Sequence, residues 1–400
     1  MDATSGSLLN NPRFLRLWIG QACSFVGDAV SMVALVILVV QLTGSAAAVG
    51  GVLVARLLPT IASPLVGVYA DRLDRRRVLV ASDLVRAIIV LAMVFTRELV
   101  VLLVLVFLMG LARAFFNPTI RAAFPGVVGG GDLTRANAFV SGTFSVSVTL
   151  GPALGGLLVA TVGVGAASAL DAATFLVSAL LLSRIPMPRP ASDDDEAGFG
   201  RELKEGFKFL AGTRVPLAVV AGAFLTMLTI NLTVPAEVFL AKRTFGTGDA
   251  GYGLLVAVWG GGMVLGSALM AVLGGRIGAL PFYFASIFVA AVGLAGTGLA
   301  PTFVLALGAL AVAGIANGID DVAASTVIQE RVPDAFLGRV FSLNFFGLSA
   351  GEVLAYLAGG ALADAAGPRF TYLLAATATA AAGLLVVLLA VTRVANVRGR

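Results

Sequence analysis

The chain has 400 residues, is 59% hydrophobic and only 12% charged, and has a mean hydropathy of +1.00, whereas an ordinary soluble domain is about a quarter charged. No soluble core of this size hides so much apolar sequence, so lipid is the solvent for most of it. With no histidine and a single cysteine, Cys23, the chain has no His-based catalysis or metal ligation, no Cys metal cluster and no intrachain disulfide, and proton chemistry falls to Asp and Glu. The net charge of +5 does not point to nucleic acid, because the basic residues sit in short loops between apolar runs rather than in a stripe.

The first residues, MDATSGSLLNNPRFLRLW, lack a small-residue cleavage site behind a short apolar core and read as a cytosolic tail. A helix needs about 20 apolar residues to cross the hydrocarbon. Span 1 is expected at 15–42, with Asp28 near its middle and with Phe14 and Trp18 suited to an interfacial belt. Span 2, at 46–70, carries Arg56 and ends in GVYADRLDRRR. Span 3, at 77–96, places Asp83 and Arg86 three residues apart on one face, where they bridge as a structural pair. Span 4, at 99–123, carries Arg113, and span 5, at 135–162, carries GPALGG. Span 6, at 166–183, has Asp171 at its external end, read as solvated.

A polar linker follows at 184–213, with proline, an acidic run and then basic residues. Its stretch from Gly200 to Leu210 reads as a short amphipathic surface helix with Leu203, Phe207 and Leu210 on one face. Span 7 is expected at 215–241, span 8 at 250–274, span 9 at 279–299, span 10 at 302–329, span 11 at 336–362 and span 12 at 368–392. These carry Glu237 near the outer end of span 7, adjacent Asp320 and Asp321 in span 10, and Glu352 near the centre of span 11. Asp364, beyond span 11, reads as solvated. Being adjacent on a helix, Asp320 and Asp321 point about 100° apart, so at most one squarely faces a cavity.

Orientation follows from the basic residues. With the N-terminus inside, 20 of the 27 Lys and Arg fall in cytoplasmic segments, and only Arg97, Lys242, Arg243 and Arg369 fall outside. Both termini are therefore expected in the cytoplasm. A shift of 204 residues aligns Gly110 with Gly314, Arg135 with Arg339, and Gly155, Gly156 and Gly163 with Gly359, Gly360 and Gly367. One offset kept across several spans indicates a duplication, with residues 1–183 and 214–400 as two six-helix bundles joined by the 184–213 linker. Parallel repeats of this kind belong to transporters whose halves rock about a central site.

The loop GVYADRLDRRR, Gly67 to Arg77, resembles the loop 2–3 signature of the major facilitator superfamily in its glycine, its Asp-Arg pair and its arginines, and departs from it at Asp74. The resemblance implies a gate role for Asp71, supported by Gly67, Arg72, Arg75 and Arg76; the plainer alternative is that the arginines only hold the loop inside. GPALGG resembles the span 5 motif of superfamily antiporters, in which Gly151, Pro152, Gly155 and Gly156 form a bend facing span 8. Ser147 stands where that motif has glycine, and a packing kink is the alternative. NPRFLRLWIGQACSFVGD, ARLLPTIASPLVG and QERVPDAFLGRVFS resemble the drug-exporter branch that includes macrolide and enterobactin-type efflux proteins. The expected fold is thus all-α, twelve transmembrane helices in two six-helix bundles, the major facilitator fold.

The expected function is proton-coupled export of a hydrophobic or amphipathic small molecule by alternating access, in the cell membrane and as a monomer. Asp28 is expected to face Arg113 in a shared cavity as a proton or cation site, or alternatively as a static ion pair; Arg56 is a third central charge. An acid without a basic neighbour in a low-dielectric cavity favours its neutral form, which makes Glu352, Asp320, Asp321 and Glu237 further proton-carrier candidates. A solvated helix end is the alternative for Glu237. No nucleotide-binding loop, cofactor site, metal site or catalytic constellation is present in the sequence. Two alternatives keep the fold: an uncoupled facilitator or lysophospholipid flippase, and a membrane sensor or scaffold that moves nothing.

Overall fold

A computed structural model describes residues 8–61, 73–128, 132–187 and 199–391, and every regular element among them is helical. Eleven of these helices are long and apolar enough to cross a membrane. Span 1 is Pro12–Thr43, span 3 Arg75–Phe95, span 4 Leu99–Val128, span 5 Leu133–Val162 and span 6 Val164–Ser183. Span 2 is Ala46–Ile61, with its expected continuation to residue 70 outside the described residues. Span 8 is Gly248–Ile277, span 9 Ala279–Leu299, span 10 Phe303–Arg331, span 11 Asp334–Ala366 and span 12 Pro368–Val391. The chain is thus an all-α, multi-pass integral membrane protein. Large aliphatic and aromatic side chains such as Phe95 and Val304 stand fully outward, an arrangement that lipid tolerates and water does not.

Local chemistry sets the ends. Asn11 caps span 1, its side chain accepting from the N–H groups of Arg13 and Phe14, and Pro12 follows at the first helical position. Gly44 closes that helix in the left-handed conformation, at φ +65°. Asp74, where the superfamily loop pattern has glycine, caps span 3 by accepting from the Arg77 N–H at 2.9 Å.

The expected single span 215–241 is broken. It runs as Arg214–Asn231, then Val234–Phe239, then a π-turn at Leu240–Thr244. Pro235 has no N–H to give the preceding turn and its ring crowds it, which ends the first segment at Asn231. The linker helix also differs in register. It spans Phe199–Gly212, with Leu210 buried but Phe207 exposed. Phe209 takes the place expected for Phe207, stacking on Phe336 at 4.5 Å, and Glu205 pairs with Arg339 at 3.2 Å.

The chain forms two compact units. The first comprises Met1–Gly44, Val52–Asp194 and Asp249–Ala257; the second comprises Ser45–Gly51, Asp195–Gly248 and Val258–Arg400. The early turns of spans 2 and 8 therefore each pack with residues from the other part of the sequence. Glycines permit this. In the first unit Gly155 lies against the Val30 backbone and Gly156 against Asp249 and Gly253. In the second, Gly359 lies against the Leu232 backbone and Gly360 against Ala46 and Ala47. These are the glycine pairs related by the 204-residue shift, and they make equivalent contacts.

Within the second unit, spans 8 and 10 meet with no room for a Cβ at Gly266 or Gly318, whose added atoms would strike the carbonyls of Ile315 and Met263. Small residues of this kind allow the backbone approach that holds helices together in lipid. Gly318→Ala is expected to lower the thermal unfolding midpoint by several degrees, at a cost of about 1–3 kcal/mol. Gly308→Ala, where the added methyl meets nothing within 4 Å, is expected to leave the midpoint unchanged or raise it. Unfolding of both purified variants, followed by intrinsic fluorescence, checks the pair.

Candidate functional site

The first unit holds a chain of charges between spans 1, 2, 3, 4 and 6. Arg113 of span 4 reaches Asp28 of span 1 with Nη2 3.4 Å from Oδ2, and both side chains keep some access, 29% and 15%. Arg56 of span 2 lies on the sulfur of Met32. Asp28, Arg56, Met32, Met93 and Met109 surround a cavity of about 20 Å³, room for a single water. The sequence therefore placed Asp28, Arg113 and Arg56 in one neighbourhood, and the three methionines beside them carried no periodic signal of their own.

Asp83 and Arg86 form the expected pair, completely buried. Its environment was not legible in the sequence. The guanidinium is covered by the rings of Phe116 at 4.2 Å and Phe175 at 4.4 Å, a desolvated cation–π arrangement. Asp171, expected at a solvated helix end, is instead wholly inaccessible. The correction has a simple cause: Asp171 lies on the face of span 6 that packs against spans 1 and 3, seven residues into the helix, and the 20-residue length of the span left no margin for sequence to separate end from interior.

Of the loop signature, Gly67, Asp71 and Arg72 lie outside the described residues. Arg75 donates to the Ala122 carbonyl at 3.3 Å, which ties span 3 to span 4, and Arg76 is exposed. In the span 5 motif, Gly151 abuts Ala29 and Gly155 abuts Val30, so these two face span 1. Gly156 and the Pro152 carbonyl face the start of span 8. The motif is thus divided between two neighbours rather than presented to one.

The second unit gathers its acids differently. Asp320 and Asp321 both line one pocket of about 200 Å³ with Thr226, Asn317, Ser325 and Asn344, and among the described residues no Lys or Arg lines it. The helical geometry that separated the two carboxylates still leaves both on the wall of this wide pocket. Asp320 accepts from the Ser286 hydroxyl at 3.2 Å. Glu352 accepts from the Tyr356 hydroxyl one turn along span 11. Glu237 is buried in the short segment after the break in span 7, which removes the reading of a solvated helix end.

Asp364 is exposed but not idle. One oxygen accepts from the Ala46 N–H at 2.7 Å, and the other from the Ala47 N–H at 3.0 Å and the Ser45 hydroxyl at 2.5 Å. Span 2 has no acid in its own first turn, so a carboxylate from span 11 satisfies its free N–H groups.

The buried pair yields a prediction. Asp83→Asn leaves the Arg86 charge without its partner and should cost about 3–5 kcal/mol. Replacing both together, Asp83→Leu with Arg86→Met, should recover most of that loss. Urea or thermal unfolding of the single and double variants measures the coupling, and equal destabilisation of both would show that the pair carries none.

Comparisons with known proteins agree with this architecture. Residues 3–398 match the family described as Transmembrane secretion effector. Macrolide efflux protein A of Streptococcus pyogenes is 25% identical, over 91% of this chain and 93% of that protein. The multidrug efflux pump Tap of Mycobacterium bovis is 30% identical, over 96% of this chain and 94% of that protein. A solved structure of a mutant nucleoside transporter NupG superposes with a TM-score of 0.81 at 13% identity, over 94% of this chain and 99% of that one. That last likeness is one of fold.

Proposed function

On the footing that the chain belongs to the transmembrane secretion effector family of the major facilitator superfamily, and so is a transporter and not an enzyme, we propose that it exports a hydrophobic or amphipathic small molecule in exchange for protons, by alternating access. The efflux direction rests on the relatives, which are named as efflux proteins. Proton coupling rests on one observation: the spans hold acids that lack a basic partner in the pocket they line, Asp320 and Asp321 above all. A carboxyl held there is neutral or ionised according to what fills the pocket, which is the requirement for a carrier.

Asp28 is the coupling residue of the first unit in this reading, with Arg113 answering its charge. A proton arriving at Asp28 releases Arg113, and loss of the proton restores the pair. The protein works in the cytoplasmic membrane as a monomer, and the distribution of Lys and Arg supports both termini in the cytoplasm.

Asp28→Asn tests the assignment. In liposomes carrying the purified protein, the variant should lose export driven by a pH gradient while expressing and folding as the wild type does. Full gradient-driven transport by the variant would remove Asp28 from the mechanism.

A further inference from the structure

Asp171 has no task in the mechanism above, and its surroundings differ from those of the other buried acids in the first unit. Asp83 is committed to Arg86 and Asp28 to Arg113. Asp171 enters no ion pair among the described residues. Its Oδ1 has a long bond from the Thr174 hydroxyl, 3.4 Å, but that hydroxyl already donates to the Asp171 carbonyl at 2.7 Å, and the Ser31 hydroxyl also approaches the carboxyl. Its Oδ2 is buried with no hydrogen-bond partner.

Span 1 is shaped to receive this carboxyl. A Cβ on Gly27 would lie 2.6 Å from Asp171 Oδ1 and would collide with the Thr174 hydroxyl. Glycine at that position opens the space the carboxyl occupies, and Ser31, one turn along, brings a second hydroxyl. The charges around it are Asp28 from span 1, Arg86 from span 3 and Arg56 from span 2. Span 5 carries only Arg135, which sits in its first turn and pairs with Asp132, and span 4, which packs on span 6 through Met109 and Phe116, carries Arg113, engaged by Asp28. Asp28 repels an ionised Asp171, and Arg86 is already engaged by Asp83 and enclosed by two rings.

A bare carboxylate in such a place is untenable, because a buried charge needs a partner and a full set of hydrogen bonds. We propose that Asp171 is a binding site for a small monovalent cation, a proton or a sodium ion, held on its carboxyl beside the Thr174 and Ser31 hydroxyls. The shared chemistry is neutralisation of one carboxylate by one compact charge, with the Thr174 and Ser31 hydroxyls able to turn toward the bound ion. The site needs no particular cargo and no particular direction of transport. Its failure is therefore separable from failure of the export reading.

The test uses the purified full-length protein in detergent, with wild type and Asp171→Asn unfolded by heat across about pH 5 to 9, in sodium chloride and in choline chloride. If the occupant is a proton, the wild type loses stability toward alkaline pH in both salts. The Asn variant should be flatter and above wild type by about 3 °C or more at the alkaline end. If the occupant is sodium, the wild type is raised by sodium over choline and the variant is not. Identical pH and salt dependence in the two proteins overturns the proposal. A second measurement needs no variant: the apolar reagent dicyclohexylcarbodiimide adds the O–H of a protonated buried carboxyl across its N=C bond, with no leaving group. Mass spectrometry of the wild type should find the adduct on Asp171 at neutral pH in choline, with sodium suppressing it only if sodium is the occupant. No adduct on Asp171 in choline overturns the proposal.

Discussion

An ionisable side chain at the middle of a bilayer costs about 2.5–3.5 kcal/mol on insertion scales, and that cost governs where this chain keeps its charges. The first unit meets it with arginines at two of its acids. Asp28 has Arg113, and Asp83 has Arg86, whose guanidinium is roofed by Phe116 and Phe175. The second unit meets it with hydroxyls and open space. Tyr356 donates to Glu352, Ser286 donates to Asp320, and Asp321 stands exposed on the pocket wall. Asp364 is met by backbone N–H groups at the start of span 2. The same cost is answered in three ways, and the units differ in chemistry although they share a packing plan.

That plan is set by glycine. Helices in lipid gain little from burying apolar surface against one another, so close backbone contact has to supply the attraction. Gly155 and Gly156 in one unit and Gly359 and Gly360 in the other make equivalent approaches at the 204-residue offset. The two units thus match where geometry is strict and differ where charge was free to change. Asp364 has Ala160 at the equivalent position, and Asp28 has Leu232.

Much of this was readable in the residues. Hydropathy located the spans because each has to cover the hydrocarbon thickness, and Asp28, Arg56 and Arg113 stood out as charges in apolar runs. What escaped depended on which face of a helix a side chain occupies, and an all-apolar helix carries no periodicity to report that. By sequence Asp171 marks a helix end, yet it is buried in span 6. Phe209 rather than Phe207 docks the linker helix, because its partner Phe336 lies far away in sequence. The break at Leu232–Thr233 was signalled by Pro235 but masked by continuous hydrophobicity. The aromatic cover on Arg86 joins three spans and has no local signature at all.

Taken together, a rigid glycine-packed frame carries a few charges whose neutralisation is conditional. Acids that are held by hydroxyls or stand on a pocket can gain and lose a proton without dismantling the helices around them. Fixed pairs such as Asp83–Arg86 keep those helices in place. Such a frame suits the proton-driven export proposed above. The most direct measurement is efflux of a panel of chemically diverse antibiotics and dyes from a drug-hypersensitive host expressing the chain, with and without a protonophore. The account predicts export of at least one apolar or amphipathic compound that stops when the protonophore collapses the proton gradient. Export that continues undiminished in its presence would contradict it.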